Sequence, residues 1–430
     1  MYKYNIVCEI AERFKSKCKS FSKSQDGKVL VQNFAYLTLL QVAGYVFPLL
    51  TLPYLARVVG AEGFGKIAFA SAIIIWIQTI ADWGFNFTAT RDVAKNRENK
   101  VLVSVIFSNV FWARCVLMVF SFLLLLLMIF FIPEFKKNSA VIMVSFLMIP
   151  GHIMFPDWFF QALERMKYIT VLNLLAKLVF TLAVFLFIKE KDDYILQPLF
   201  ISLGFMVSGI IAMYCILVRW QVKLYKPTLP AIICTIKGSS NVFINNLMPN
   251  LYSTFSTILL GFFAGPVSNG IYDAGKKFIA IFHSMISIIS RTFFPYLVRK
   301  DGKHVFFAKL TISVSLLGSI MLLIFAPLLI RLFFTEEFID AIIVLRITSI
   351  ALVFITLDSV YGTNYLIIHH CDRLLRNITA VVSCVGFVSA FPLIYYFDYI
   401  GAAFTFLFSN MLIGVGVTYY AIKIRKIKRK

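Results

Sequence analysis

Long apolar stretches separated by short polar turns recur twelve times along the chain. They lie near 34–56, 64–86, 104–132, 139–160, 168–188, 195–218, 240–264, 272–298, 306–331, 339–368, 375–397 and 400–422. Each reaches the ~20 residues a helix needs to cross the hydrocarbon of a bilayer. With no water in lipid to satisfy open backbone groups, the spans must be helices. A membrane β-barrel would show alternating strands of roughly ten residues, and that pattern is missing here. The expected fold is all-α and integral to the membrane, with about 12 transmembrane helices.

Composition sharpens this reading. Hydrophobic residues make up 60% of the 430 positions and charged residues 15%. A soluble chain averages about 45–50% and about 25%. A secreted enzyme, a disordered chain and a disulfide scaffold are excluded. The seven cysteines are odd in number and form no CxxC, so they read as free thiols. The net charge of +21 would suggest nucleic acid in a soluble protein. Here the positive-inside rule absorbs it. With the N-terminus inside, inner segments carry 28 Lys and Arg and outer loops carry 6. Both termini are therefore expected in the cytosol, and no nucleic-acid partner is needed.

The divisions that follow are a basic cytoplasmic arm (1–33), a six-helix bundle (34–218), a cytoplasmic linker (219–239), a second six-helix bundle (240–422) and a basic tail (423–430). The arm has no cleavable signal, and Ile6, Ile10 and Phe14 sit in it at helical spacing among basic residues. It reads either as a helix lying on the anionic inner leaflet or as a disordered tail. The bundles echo each other: Gly60 and Gly265 are 205 apart, Glu164-Arg165 and Asp372-Arg373 are 208 apart, and Pro48 and Pro249 are 201 apart. An even number of spans per half inserts both halves the same way. That predicts pseudo-twofold symmetry about the membrane normal.

Two motifs carry little chemistry. Gly60 to Lys66 matches GxxxxGK, but Ile67 replaces the Mg²⁺-binding Ser/Thr and no strand precedes it, so it reads as a tight helical hairpin. His369-His370-Cys371-Asp372 resembles a metal cluster, yet adjacent helical residues do not converge on one ion. No metal and no cofactor is expected, and no enzymatic motif appears. Any energy input would come from a gradient or a partner.

Charges inside spans are the stronger signal. An ionised residue mid-span costs about 2.5–3.5 kcal/mol on insertion scales, so it normally faces a cavity or a partner. Helix 8 carries Lys277, Ser284 and Arg291 at seven-residue steps, with Lys276 in the adjacent row. Lys277 and Arg291 are separated by about 21 Å of helix. The two lysines also fit a snorkelling role at the interface. Helix 7 adds Asn245, Asn246, Asn250, Ser253 and Thr257, and helix 2 adds Ser71, Gln78 and Asp82. Arg114, Lys177, Arg346, Asp157 and Asp358 are further charges, which serve either a lumen or ion pairs that hold the bundle together. The balance is cationic, which suits a phosphate or diphosphate group. Pro48 and Pro53 interrupt helix 1 and are candidate hinges or static kinks.

The stretch Phe47-Pro48-Leu49-Leu50-Thr51-Leu52-Pro53-Tyr54-Leu55-Ala56-Arg57-Val58-Val59-Gly60, then Glu62-Gly63-Phe64-Gly65, resembles the N-terminal signature of O-antigen and capsule flippases. Asp82-Trp83-Gly84-Phe85-Asn86, with Ala89-Thr90-Arg91-Asp92-Val93-Ala94, is similar to the same family. So is Phe155-Pro156-Asp157-Trp158-Phe159-Phe160-Gln161. The resemblance implies the multidrug/oligosaccharidyl-lipid/polysaccharide exporter fold, with helices 1, 2, 7 and 8 around a portal. It implies a non-enzymatic flippase in the bacterial inner membrane, moving undecaprenyl-diphosphate-linked oligosaccharide from the cytoplasmic to the periplasmic leaflet. Arg57 and Arg91 join the candidate site on this basis. Membrane lipid, a polysaccharide polymerase and a chain-length regulator are the expected partners. The alternative is an ion-coupled small-molecule exporter of the same fold, which would want an acidic lumen.

Overall fold

A computed structural model describes residues 25–299 and 304–427. The readings made for the arm up to residue 24, Ile6, Ile10 and Phe14 included, lie outside the described residues, as do 300–303 and 428–430. The described chain makes twelve helical passes: α1 (25–59), α2 (61–82), α3 (Lys100–Phe131), α4 (Ser139–Ala162), α5 (Met166–Phe187), α6 (Lys191–Arg219), α7 (229–263), α8 (Gly265–Arg299), α9 (His304–Phe333), α10 (Ala341–Ile367), α11 (372–397) and α12 (399–427). No strand occurs among the described residues. α1 and α2 run on from one another except at Gly60, whose φ of 66° and ψ of −176° suit only glycine. α11 and α12 are divided likewise at Asp398, with φ 54° and ψ −134°. Gly265, between α7 and α8, has φ 84°. The glycines paired by the 205-residue offset thus both take positive φ at the corresponding turn of each half.

The helices form two lobes, α1–α6 and α7–α12. The end carrying Gly60 and Gly265 is the far face, and the end carrying Gln25 and Ile427 is the near face. At the far face the lobes share one core: Leu52, Leu55, Val59 and Phe64 pack with Leu260, Tyr272, Phe278, Phe338 and Leu345. Backbones meet closely there. A Cβ on Gly65 would overlap the carbonyl of Pro266, and one on Gly270 would overlap that of Ala61. Small residues at such crossings let membrane helices approach. In the near half the cores are separate, the first lobe's taking in Ile232 of α7. Phe85, Phe107, Trp158 and Ala212 belong to the first lobe. Leu366 and Val417, and beside them Leu297, Phe307 and Val360, belong to the second.

α7 crosses between the lobes. Its near half, Leu229–Leu247, docks on the first lobe. Trp83 stacks on Phe243 at 3.9 Å and donates from Nε1 to the Ile236 carbonyl at 3.1 Å, and the Thr88 and Ser239 hydroxyls lie 2.7 Å apart. Trp83 and Gly84 both take positive φ, and a Cβ on Gly84 would lie 2.8 Å from that of Val242. The helix is interrupted around Pro249. Beyond the break, Phe255 packs on Phe387 and Phe391 of α11. The irregular segment preceding α7 is strapped to α3: Lys223 and Tyr225 donate backbone N–H groups to Ser104 and Ser108, and Trp112 Nε1 donates to the Tyr225 carbonyl.

Candidate functional site

A cavity of about 550 Å³ lies in the seam beneath the far-face contact. α1 contributes Gly44, Pro48 and Thr51, α2 Phe64, Ala68 and Ser71, α6 Gln197, α7 Ser253, Thr254 and Thr257, and α8 Asp273, Lys276 and Lys277. These are mostly the first two helices of each lobe, and of the polar stripes read from sequence Ser71, Ser253, Thr257, Lys276 and Lys277 reach the wall. The charges of the wall come from α8. Lys277 Nζ lies 2.8 Å from Asp273 Oδ2, one helical turn away, and 5.7 Å from the centre of the Phe64 ring. Lys276 Nζ has no carboxylate within ion-pair distance among the described residues. It lies 3.5 Å from the Ser253 carbonyl, 4.7 Å from the Tyr272 ring and 5.0 Å from the Phe406 ring. Aromatic faces hold a cation without neutralising it. Lys177 of α5 reaches the wall from behind: a Cβ on Gly44 would sit 3.3 Å from its Nζ. Gln197 Oε1 is buried with no partner among the described residues. The surface therefore offers net positive charge, hydroxyls and one idle amide acceptor.

The remaining sequence-predicted residues fall elsewhere. Asn250 donates from Nδ2 to Thr79 Oγ1 at 3.1 Å, joining α7 to α2 below the cavity. Asn245 and Asn246 are exposed on the near half of α7. Arg114 is buried inside the first lobe, where Nη2 donates to Asp82 and lies 3.0 Å from His152 Nδ1. That pair ties α2, α3 and α4 together. Asp157 accepts from the Trp158 backbone N–H at 2.8 Å, at the start of the short helical piece Asp157–Ala162 that ends α4 at the near face. Arg91 is exposed and pairs with its neighbour Asp92. Arg57 is exposed at the far end of α1. Arg346 shares an exposed face of α10 with Ile343 and Ile350. Asp358 opens a π-helical stretch of α10, with Oδ1 buried and unpartnered among the described residues. Of the candidate hinges, Pro48 lines the cavity and Pro53 lies about one turn farther along α1. The side chain of Arg291, on α8, lies outside the described residues.

Two groups were not singled out from sequence. Asp273 had a local signal, its four-residue spacing to Lys277. Glu337, in the turn between α9 and α10, had none. Its Oε2 accepts the Ala61 backbone N–H at 2.8 Å across the far-face seam. It thereby supplies a carboxylate to the first turn of α2, where the helix dipole favours negative charge.

Comparisons with known proteins bear on the family and the fold. A family model described as polysaccharide biosynthesis protein matches residues 30–300. A protein of Escherichia coli (strain K12) that carries the name "Putative O-antigen transporter" is 30% identical over 392 residues, which cover 89% of this chain and 94% of that one. A protein of Shigella dysenteriae with the same name is 25% identical over 388 residues, 89% of this chain and 97% of that one. Among solved structures, the lipid II flippase MurJ in an inward closed conformation superposes with a TM-score of 0.72 at 12% identity, covering 91% of this chain and 87% of that one. An inward-facing multidrug resistance MATE transporter superposes with a TM-score of 0.69 at 14% identity, covering 93% and 99%. At these identities the two structures speak for the fold alone.

Proposed function

The chain belongs to the polysaccharide biosynthesis protein family, and from that premise we propose that it is a flippase for a lipid-linked oligosaccharide. The substrate is an undecaprenyl-diphosphate-linked repeat unit, carried from the cytoplasmic to the periplasmic leaflet of the bacterial inner membrane. The single observation that carries this reading is the sign of the cavity. Two lysines face one aspartate there, and Lys276 is left without a counter-anion among the described residues. A diphosphate is the group that completes it. Ser253, Thr254, Thr257 and the idle Gln197 acceptor suit sugar hydroxyls.

In this reading the near face is cytoplasmic. The lobes meet at the far face and keep separate cores in the near half, a state in which substrate loads from inside. The lipid tail stays in the bilayer while the head group enters the seam. Rocking of the lobes opens the far contact and closes the near one. An exporter of small cations would need a lumen of the opposite sign, and the cavity's charge speaks against it.

The test is deletion of the gene in the native host, followed by extraction of lipid-linked oligosaccharides and electrophoresis of surface polysaccharide. The flippase reading expects loss of the surface polymer with completed lipid-linked units retained inside. Normal surface polysaccharide with lost resistance to dyes or toxins would replace it with the small-molecule exporter.

A further inference from the structure

The second lobe has a separate cavity of about 400 Å³ near its near-face end, and it shares no lining residue with the central one. It is lined by Lys309 and Ser313 of α9, Tyr361 of α10, Arg425 of α12 and the buried His304. The two cations come from different helices and converge on one space. No acidic residue lines it among the described residues, and neither cation makes an ion pair among them. Like charges sharing a cavity repel unless an anion lies between them. The wall is fixed rather than incidental. His304 Nε2 bonds the Val360 carbonyl at 3.0 Å, and its ring lies 5.5 Å from that of Tyr361.

Depth and surroundings identify the anion. Lys309 lies five residues from the first described residue of α9, or about 7–8 Å along the axis, and Arg425 is in the last turn of α12. That is the level at which lipid head groups sit. Beside the cavity, α9 exposes Val305, Phe306, Leu310, Val314 and Leu317, an apolar track running on toward the membrane interior. A free phosphate has no use for such a track, whereas an acyl chain does.

We propose that this cavity binds the phosphate head group of an anionic phospholipid in the near-face leaflet. Lys309 and Arg425 hold the phosphate oxygens, the Ser313 and Tyr361 hydroxyls donate to them, and one acyl chain follows α9. The proposal does not depend on what the central cavity carries.

The test is native mass spectrometry of the full-length protein in non-ionic detergent, titrated with phosphatidylglycerol or with phosphatidylcholine. Lys309→Gln/Arg425→Gln is compared with Lys423→Gln/Lys426→Gln, which removes the same charge from neighbouring positions. The expected result is that the tightest phosphatidylglycerol binding weakens about tenfold in the first pair only, the scale of losing charge-assisted hydrogen bonds. The charge-keeping pair Lys309→Arg/Arg425→Lys retains it, which guards against a folding defect. Equal weakening in both glutamine pairs, or in neither, overturns the site. Equal binding of phosphatidylcholine overturns the head-group charge as its basis. Displacement of the tightest lipid by millimolar inorganic phosphate would make it a site for a free anion, and would overturn the lipid assignment.

Discussion

At the scale of single residues, the two lysines of the cavity are not equivalent. Lys277 is already neutralised by Asp273 at 2.8 Å, whereas Lys276 rests on two aromatic faces and a carbonyl. Removing a charge-assisted contact to a bound anion costs about 1.5–3 kcal/mol, roughly ten- to a hundredfold in binding. Lys276→Gln is therefore expected to lower transport by at least about tenfold at normal protein level, with Lys277→Gln lowering it less. Accumulation of lipid-linked intermediates in cells rescued by each variant measures this, and the opposite order would assign the anion to Lys277. Arg114 behaves differently. It lies inside the first lobe at 1% exposure, bound to Asp82. Arg114→Met leaves the Asp82 carboxylate without its partner, which typically costs about 3–5 kcal/mol. The expected outcome is a lowered melting temperature and poor accumulation in the membrane. The double variant Arg114→Met/Asp82→Leu recovers much of the loss. If Arg114→Met were fully stable and inactive, the pair would belong to transport after all.

At the scale of elements, the far-face crossing of α2 and α8 is made by glycine. Because an added Cβ on Gly65 would run into the Pro266 carbonyl, Gly65→Val must push the hairpins apart. Distances between spin labels on Glu62 and Val267 are expected to lengthen by several Å in that variant, an order set by the size of the added side chain. An unchanged distance would mean that the crossing yields in some other way. Much of this level was legible beforehand. Gly60 and Gly265 stood out by their offset, and both proved to need positive φ. The polar stripes of helices 2, 7 and 8 supplied Ser71, Ser253, Thr257, Lys276 and Lys277 to the cavity wall, because a polar row in lipid has to face something polar. Arg346 shows where this reasoning stops. A charge in a hydrophobic stretch says that lipid is unfavourable at that depth, and does not tell the central seam from an outer face. The docking of α7 on Trp83, Thr88 and Gly84 was also invisible, since it depends on residues about 150 positions apart.

At the scale of the whole molecule, the far contact must open for the cavity to face the other leaflet. Glu337 is one of its fastenings, a carboxylate from the second lobe on the first N–H of α2 in the first lobe. Loss of a helix-capping group costs about 0.5–2 kcal/mol. That is enough to shift the balance between open and closed far faces by about two- to thirtyfold. In a cysteine-free background, Ser253→Cys in the cavity wall is thus expected to react faster with a membrane-impermeant thiol reagent applied from the far face when Glu337→Ala is added. An unchanged rate would show that the aromatic and glycine contacts hold the face shut alone. Nothing local marked Glu337 in the sequence, because its partner is the backbone of a residue 276 positions away. The most direct measurement of all is flipping itself. The purified protein would be placed in sealed vesicles with a fluorescent undecaprenyl-diphosphate oligosaccharide, and outward exposure followed with an impermeant quencher. Protein-dependent exchange between leaflets that falls about tenfold or more in Lys276→Gln, and is not reproduced by the lipid monophosphate lacking sugar, is the expected result. No exchange by folded protein, together with uptake of a small organic cation by the same vesicles, would contradict the flippase.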